Sequence, residues 1–183
     1  MTRAFVAVTL PYEVLSAVQQ RAAGLDVRGG RATQVFQWHL TLQFLGEVEL
    51  ESVIVALEGF DVPGGRVRLG GAGAFPSARR GRVLWVGVAE GARVLAHLAS
   101  GVAECLASIG FEPEAREFVP HVTLVRCPSP TDLRAPIAAL GAAPIGDAWD
   151  VDALTVYESE LRDDGPRYIE RAVVPLPGRR VVS

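Results

Sequence analysis

The sequence predicts an α+β fold in which two antiparallel sheets line a central cleft and helices cover their outer faces. Three features of the chain carry that prediction. The order strand, helix, strand, helix, strand occurs twice along 183 residues. The middle strand of each set contains the same phrase, HLTL at 39–42 and HVTL at 121–124. In a strand, residues i and i+2 share a face, so each phrase sends two aliphatic residues one way and a histidine and a threonine the other. That is the pattern of a strand with one side in a core and one side on a cleft. Pseudo-repeats at about 1–76 and 82–161, closed by a final strand at about 168–176, predict one bilobal domain over 1–183 with pseudo-twofold symmetry. A single mixed sheet with helices on both sides is the rival arrangement.

The elements follow in order. FVAVTL (5–10) has the apolar character of a buried strand. Pro11 opens a helical pattern with Val14, Leu15, Val18, Ala22 and Leu25 on one face. Polar and glycine-rich residues 26–34 form a loop, QVFQWHLTLQFLG (34–46) a strand, and 49–58 a helix with Leu50, Val53, Ile54 and Leu57 inward. RVRLGGAGAF (66–75) completes the first set as a strand weakened by glycine. The second set begins with a strand at 82–89 and a helix at 91–109 striped by Leu95, Leu98, Val102, Cys105, Leu106 and Ile109. FVPHVTLVRC (118–127) is the HxT strand. Ser129-Pro130-Thr131-Asp132 has the signature of a helix start, with a serine cap, proline in the first turn and an acid near the third position. Residues 149–161 form a strand, DDGP (163–166) a turn, and 168–176 the closing strand.

Composition narrows the function classes. Nearly half the residues are apolar, enough for a real core, and the formal net charge is −3. Bulk charge therefore does not advertise nucleic-acid binding. No uncharged apolar run approaches the roughly 18–20 residues that span a bilayer. The first residues lack the pattern of a secretory signal, and Cys105 and Cys127 form no disulfide framework. A cytoplasmic, monomeric protein is expected. All 18 basic residues are arginine. Without lysine there is no P-loop ammonium, no Schiff base and no lysyl-nucleotide intermediate. Nucleotide chemistry here must run on histidine, arginine, hydroxyls and backbone.

Only three histidines occur, and two of them open the repeated phrase 82 positions apart. If a pseudo-twofold axis relates the strands, His39 and His121 converge on one spot flanked by Thr41 and Thr123. One neutral imidazole can take a proton from an attacking oxygen while one imidazolium gives a proton to a leaving oxygen. The hydroxyls can donate to non-bridging phosphate oxygens. That set suits phosphoryl transfer without a cofactor, and the chain lacks the carboxylate cluster a Mg²⁺ site would want. Zinc would need a third ligand, and the remaining histidine, His97, falls on the polar face of its helix with Glu104 and Ser108. Strict alternation turns Arg126 away from His121, toward a surface salt bridge; only a bulge or the strand's end would bring it back. Arg79, Arg80 and Arg82 are either a solvated loop or a track for RNA phosphates. Trp38, Phe44 and Trp85 suit core packing better than base stacking.

The paired phrases resemble the 2H phosphoesterase superfamily. HLTLQFLGEV, AFPSARRGRVLWVGV, FVPHVTLVR and YESELRDDGPRY narrow the likeness to its RNA 2′,3′-cyclic phosphodiesterase branch, also called 2′-5′ RNA ligase-like, and RAFVAVTLP fits as well. One departure is Gly81 in PSARRGR, where proline is expected in relatives. The resemblance covers nearly the whole chain. It implies hydrolysis of RNA 2′,3′-cyclic phosphate ends, or of cyclic nucleotides, to 2′-phosphomonoesters, with O3′ leaving. By similarity His39 is the acid toward O3′ and His121 the base that activates water. Thr41, Thr123 and Arg126 bind the phosphate, Arg126 on the resemblance alone. No metal or cofactor is implied, and ATP-independent 2′-5′ ligation becomes the same transfer with an RNA hydroxyl in place of water. The alternatives are a phosphodiesterase of a small cyclic nucleotide or ADP-ribose cyclic phosphate, and a non-catalytic module that binds RNA ends.

Overall fold

A computed structural model describes residues 1–162 and 165–178. The strands are β1 (Thr2–Thr9), β2 (Arg31–Ala32), β3 (His39–Val48), β4 (Gly65–Phe75), β5 (Gly81–Glu90), β6 (Val122–Thr131), β7 (Pro144–Val151), β8 (Ala153–Arg162) and β9 (Gly165–Pro175). The helices are α1 (Tyr12–Arg21), α2 (Leu50–Leu57), α3 (Ala92–Ala107) and α4 (Arg134–Leu140). The strands make two sheets, β3-β1-β8-β9 and β2-β6-β5-β4-β7. Every pairing is antiparallel.

The two HxT strands lie in different sheets, and the third strand of each expected repeat crosses over. β4, from the first repeat, pairs with β5 of the second. β8, from the second, pairs with β1 of the first. Neither half can therefore complete its sheet alone, and β3 and β6 meet where the two sheets face each other.

Packing follows the alternation read from sequence. Leu40, Leu42, Val122 and Leu124 are buried in the core, each contributing about 1.5–3 kcal/mol of apolar burial for a leucine-sized side chain. α3 packs on β3 and β4, and α1 packs on β7. Arg21, at the end of α1, donates to the carbonyls of Leu140, Ala143 and Pro144 at 3.0–3.2 Å. Glu49 caps α2, its carboxylate accepting from the Ser52 N–H at 2.6 Å.

Several boundaries differ from the sequence expectation for identifiable reasons. Residues 35–37 are a single 3₁₀ turn rather than strand, closed by a reciprocal cap between Gln34 and Gln37 and by Gln37 Nε2 donating to the Pro166 carbonyl at 2.7 Å. β6 runs on through Ser129-Pro130, the expected helix cap, because Thr131 still pairs with Gly81 of β5. α4 starts only after Asp132, whose carboxylate accepts from the Arg134 N–H at 3.1 Å. Leu133, wholly buried, is held by its N–H to the Ala78 carbonyl at 2.7 Å. The expected strand at 149–161 is two strands broken at Asp152, and its first part, β7, starts earlier and belongs to the other sheet. α1 ends at Arg21 rather than reaching Leu25. The expected turn at 163–166 includes residues 163 and 164, which lie outside the described residues.

Candidate active site

His39 opens β3 and Val122 opens β6, so each HxT phrase sits at the start of its strand. Between them lies a cavity of about 650 Å³. His39, Thr41, His121, Thr123 and Arg126 all line it. The five residues singled out from sequence are thus brought together at one place. His97 is exposed on α3 and takes no part.

A pair of β-bulges shapes the cavity wall. Along β1 and β3, Val6 pairs with Gln43 and Ala7 with Thr41, which leaves Leu42 as the extra residue. Along β5 and β6, Leu84 pairs with Val125 and Trp85 with Thr123, which leaves Leu124 extra. Both bulges fall on the leucine of HxTL. An extra residue reverses the alternation beyond it. In β6 Leu124 and Val125 are consecutively buried and Arg126 is exposed. Arg126 therefore lines the cavity, which overturns the expectation that alternation would turn it away. No ion pair joins Arg126 among the described residues, so the expected salt bridge is also absent there. Phe44, at the equivalent position of β3, is 46% exposed and lines the same cavity instead of packing in the core.

The histidines are held alike. His121 Nδ1 lies 2.7 Å from the Val119 carbonyl. A carbonyl only accepts, so Nδ1 carries the proton and Nε2 is left for the cavity. His39 is hydrogen-bonded to the backbone of Gln37, again two residues upstream. The 3₁₀ turn at 35–37 and the segment just before β6 supply these anchors.

Aromatic rings surround both imidazoles. Phe5 stacks on His39 with centroids 4.7 Å apart, and Tyr168 meets its edge at 5.2 Å. Phe75 meets His121 edge-on at 4.9 Å, with Trp85 at 5.9 Å. Burial pushes His39 down to about 4; its bond to Gln37 opposes the shift, and Arg126 and His121 reinforce it. Burial likewise lowers His121, against its bond to Val119 and with Arg126 and Arg116. The Tyr168 phenol is raised by burial, with Arg126 and Arg3 opposing. Arg126 thus acts on both histidines at once.

Phe5, Phe75 and Tyr168 were not predicted as site residues. β1 is buried on both faces and gives no alternation that would single out Phe5. Trp38 is in the core, donating to Thr33 Oγ1 at 2.8 Å. Trp85 is half-buried behind His121, and its Nε1 has no hydrogen-bond partner among the described residues. Among the described residues no group of three or more His, Cys, Asp or Glu side chains is arranged to hold a metal ion. No described helix is long and apolar enough to cross a membrane.

The family model for LigT like Phosphoesterase matches the chain twice, over residues 8–85 and 86–168, placing one HxT phrase in each match. The chain belongs to this family. It is 37% identical over 137 residues to an RNA 2′,3′-cyclic phosphodiesterase of Aeropyrum pernix, covering 72% of this chain and 77% of the relative. It is 33% identical to the Escherichia coli protein of the same name, covering 91% and 92%. The solved structure of E. coli LigT complexed with 3′-AMP superposes with a TM-score of 0.76 at 28% identity, covering 96% of this chain and 98% of that one. The α+β fold with two antiparallel sheets is that of these phosphoesterases, as the paired phrases led us to expect.

Proposed function

We propose that this phosphoesterase hydrolyses RNA 2′,3′-cyclic phosphate ends to 2′-phosphomonoesters, with the two histidines as acid and base. The observation that carries the reading is the symmetric delivery of HxT from two sheets into one cavity, with Arg126, beyond the bulge at Leu124, beside them. His121, with Nδ1 tied to Val119, takes a proton from water through Nε2. The water oxygen bonds to phosphorus, the P–O3′ bond breaks, and His39 gives its proton to O3′. The products are a 2′-phosphomonoester and a free 3′-hydroxyl.

Burial holds His39 neutral in the free site, down to about 4, so its role as the acid depends on the substrate's phosphate to bring the proton in. A phosphate anion in the cavity favours the imidazolium, and a proton held at a site that disfavours it is readily surrendered to the leaving oxygen. Thr41, Thr123 and Arg126 neutralise the developing charge on the non-bridging oxygens. The fold shared with a LigT that binds 3′-AMP and the names of the relatives support a nucleotide phosphate as ligand. A 5′-hydroxyl of RNA in the water's place would give a 2′-5′ linkage with no ATP; water's abundance makes hydrolysis the dominant course.

Initial rates on an RNA oligonucleotide with a 2′,3′-cyclic phosphate end, on free cyclic nucleotides and on ADP-ribose cyclic phosphate test the substrate class. The RNA end is expected to give the highest kcat/KM. A clear preference for ADP-ribose cyclic phosphate would move the activity to small molecules, and binding without product would leave an RNA-end-binding module.

A further inference from the structure

Two stretches of surface border the cavity, and they differ in charge. One is an adjoining groove of about 1090 Å³, which shares Phe44, Glu114, Arg126 and Tyr168 with the cavity. Its further wall carries Glu47, Glu49 and Glu112 against Arg3. A phosphodiester chain laid there would meet several carboxylates. On another side the cavity is lined by Phe75, Pro76, Arg82 and Val83. The loop between β4 and β5 stands at that rim and carries Arg79 and Arg80, both exposed.

This rim is built rather than loose. Ser77 Oγ accepts from the Arg80 N–H at 3.3 Å, the Ala78 carbonyl accepts from Leu133 N at 2.7 Å, and Arg82 donates to the Pro128 carbonyl at 2.8 Å. Arg79, Arg80 and Arg82 make no ion pair among the described residues. The nearby Asp132 is already engaged by Arg134 at 2.5 Å. Arg79 shares the charge of the Asp132 carboxylate with Arg134, so the rim keeps an excess of positive charge. Arg80 is three residues from Val83, a backbone reach of about 10 Å.

We propose that the RNA strand on the 5′ side of the cyclic phosphate leaves the cavity over this arginine rim, with Arg79 and Arg80 holding backbone phosphates, and that the carboxylates of the other groove repel it. The inference rests on the RNA-end reading above. It makes the enzyme prefer an oligonucleotide end to a free cyclic nucleotide, although the reacting group is the same. Phosphate contacts of this kind are independent of base identity and weaken with salt.

The test compares a short oligoribonucleotide ending in a 2′,3′-cyclic phosphate with the matching cyclic mononucleotide, for the wild type and the Arg79→Ala/Arg80→Ala variant. The variant is expected to lose about tenfold in kcat/KM on the oligonucleotide at low salt and to keep the wild-type rate on the mononucleotide. The log–log salt dependence for the oligonucleotide should become shallower by about 1.4, the value for two lost single-strand phosphate contacts. An unchanged oligonucleotide rate and salt slope, or equal losses on both substrates, would overturn the strand path. So would a Glu47→Gln/Glu112→Gln variant that accelerates the oligonucleotide while the arginine variant does nothing. A wild-type protein that turns over neither substrate would instead remove the RNA-end reading, and the path with it.

Discussion

Phe5 and His39 lie ring on ring, with centroids 4.7 Å apart and planes inclined by 25°. This contact belongs to the burial that holds His39 neutral, down to about 4 from its ordinary 6.5. An unfolded chain would bind the proton near 6.5, so between the two values the unfolded state holds more protons. Stability carried by neutral His39 is therefore complete above about pH 6.5 and is lost as pH falls toward 4. The shift corresponds to about 3 kcal/mol, and His121 acts in the same direction. Urea unfolding at pH 7.5 and 4.5 should show the wild type losing more stability on acidification than His39→Gln. Equal losses would contradict the linkage.

Arg126 lowers both histidines, so Arg126→Gln should raise both. The kcat/KM profile against pH, which reports free-enzyme groups, should move as a whole toward higher pH. Its maximum should fall roughly 10–100-fold through loss of the proposed phosphate contact. A fall with no displacement of either limb would place Arg126 too far from the imidazoles to act on them.

Thr41→Val and Thr123→Val remove a hydroxyl and keep the shape of the side chain. Each should lower kcat/KM roughly 10–100-fold while changing stability by about 1 kcal/mol or less, read by rates and by urea unfolding on the same preparations. Wild-type rates in both would remove the threonines from the phosphate site.

How much of this was legible in the sequence turns on local period. The histidines, the threonines and their leucine anchors could be read because HxTL states a two-residue alternation in four letters, and it states it twice. Arg126 and Phe44 could not be placed, because a bulge at Leu124 or Leu42 leaves no mark in the letters; it is set by pairing with β5 and β1. β7 escaped for a related reason: Pro144, Gly146 and Asp147 look like a loop until β4 supplies the partner strand. Ser129-Pro130 read as a helix cap, and the β5 ladder overrode that local preference. The crossing of β4 and β8 between sheets depends on long-range pairing alone.

Behind His121, Gly73 lets β4 pass close to Trp85; a Cβ there would run into the indole ring. Gly73→Ala should displace Trp85, and with it the wall that holds His121. We expect kcat to fall severalfold with a changed pH profile. Trp85→Phe, which removes an N–H without a partner among the described residues, should leave stability within about 1 kcal/mol. Normal kcat and an unaltered profile in Gly73→Ala would show that Trp85 does not position His121.

The most direct measurement is product analysis on RNA with a 2′,3′-cyclic phosphate end, in EDTA, for the wild type, His39→Ala and His121→Ala. The wild type should yield a 2′-phosphomonoester without added metal, and each variant should lose about 10²–10⁴ in rate, the usual contribution of a general acid or base. Full activity in either variant, a 3′-phosphate product, or turnover that appears only when metal is restored would contradict the two-histidine mechanism.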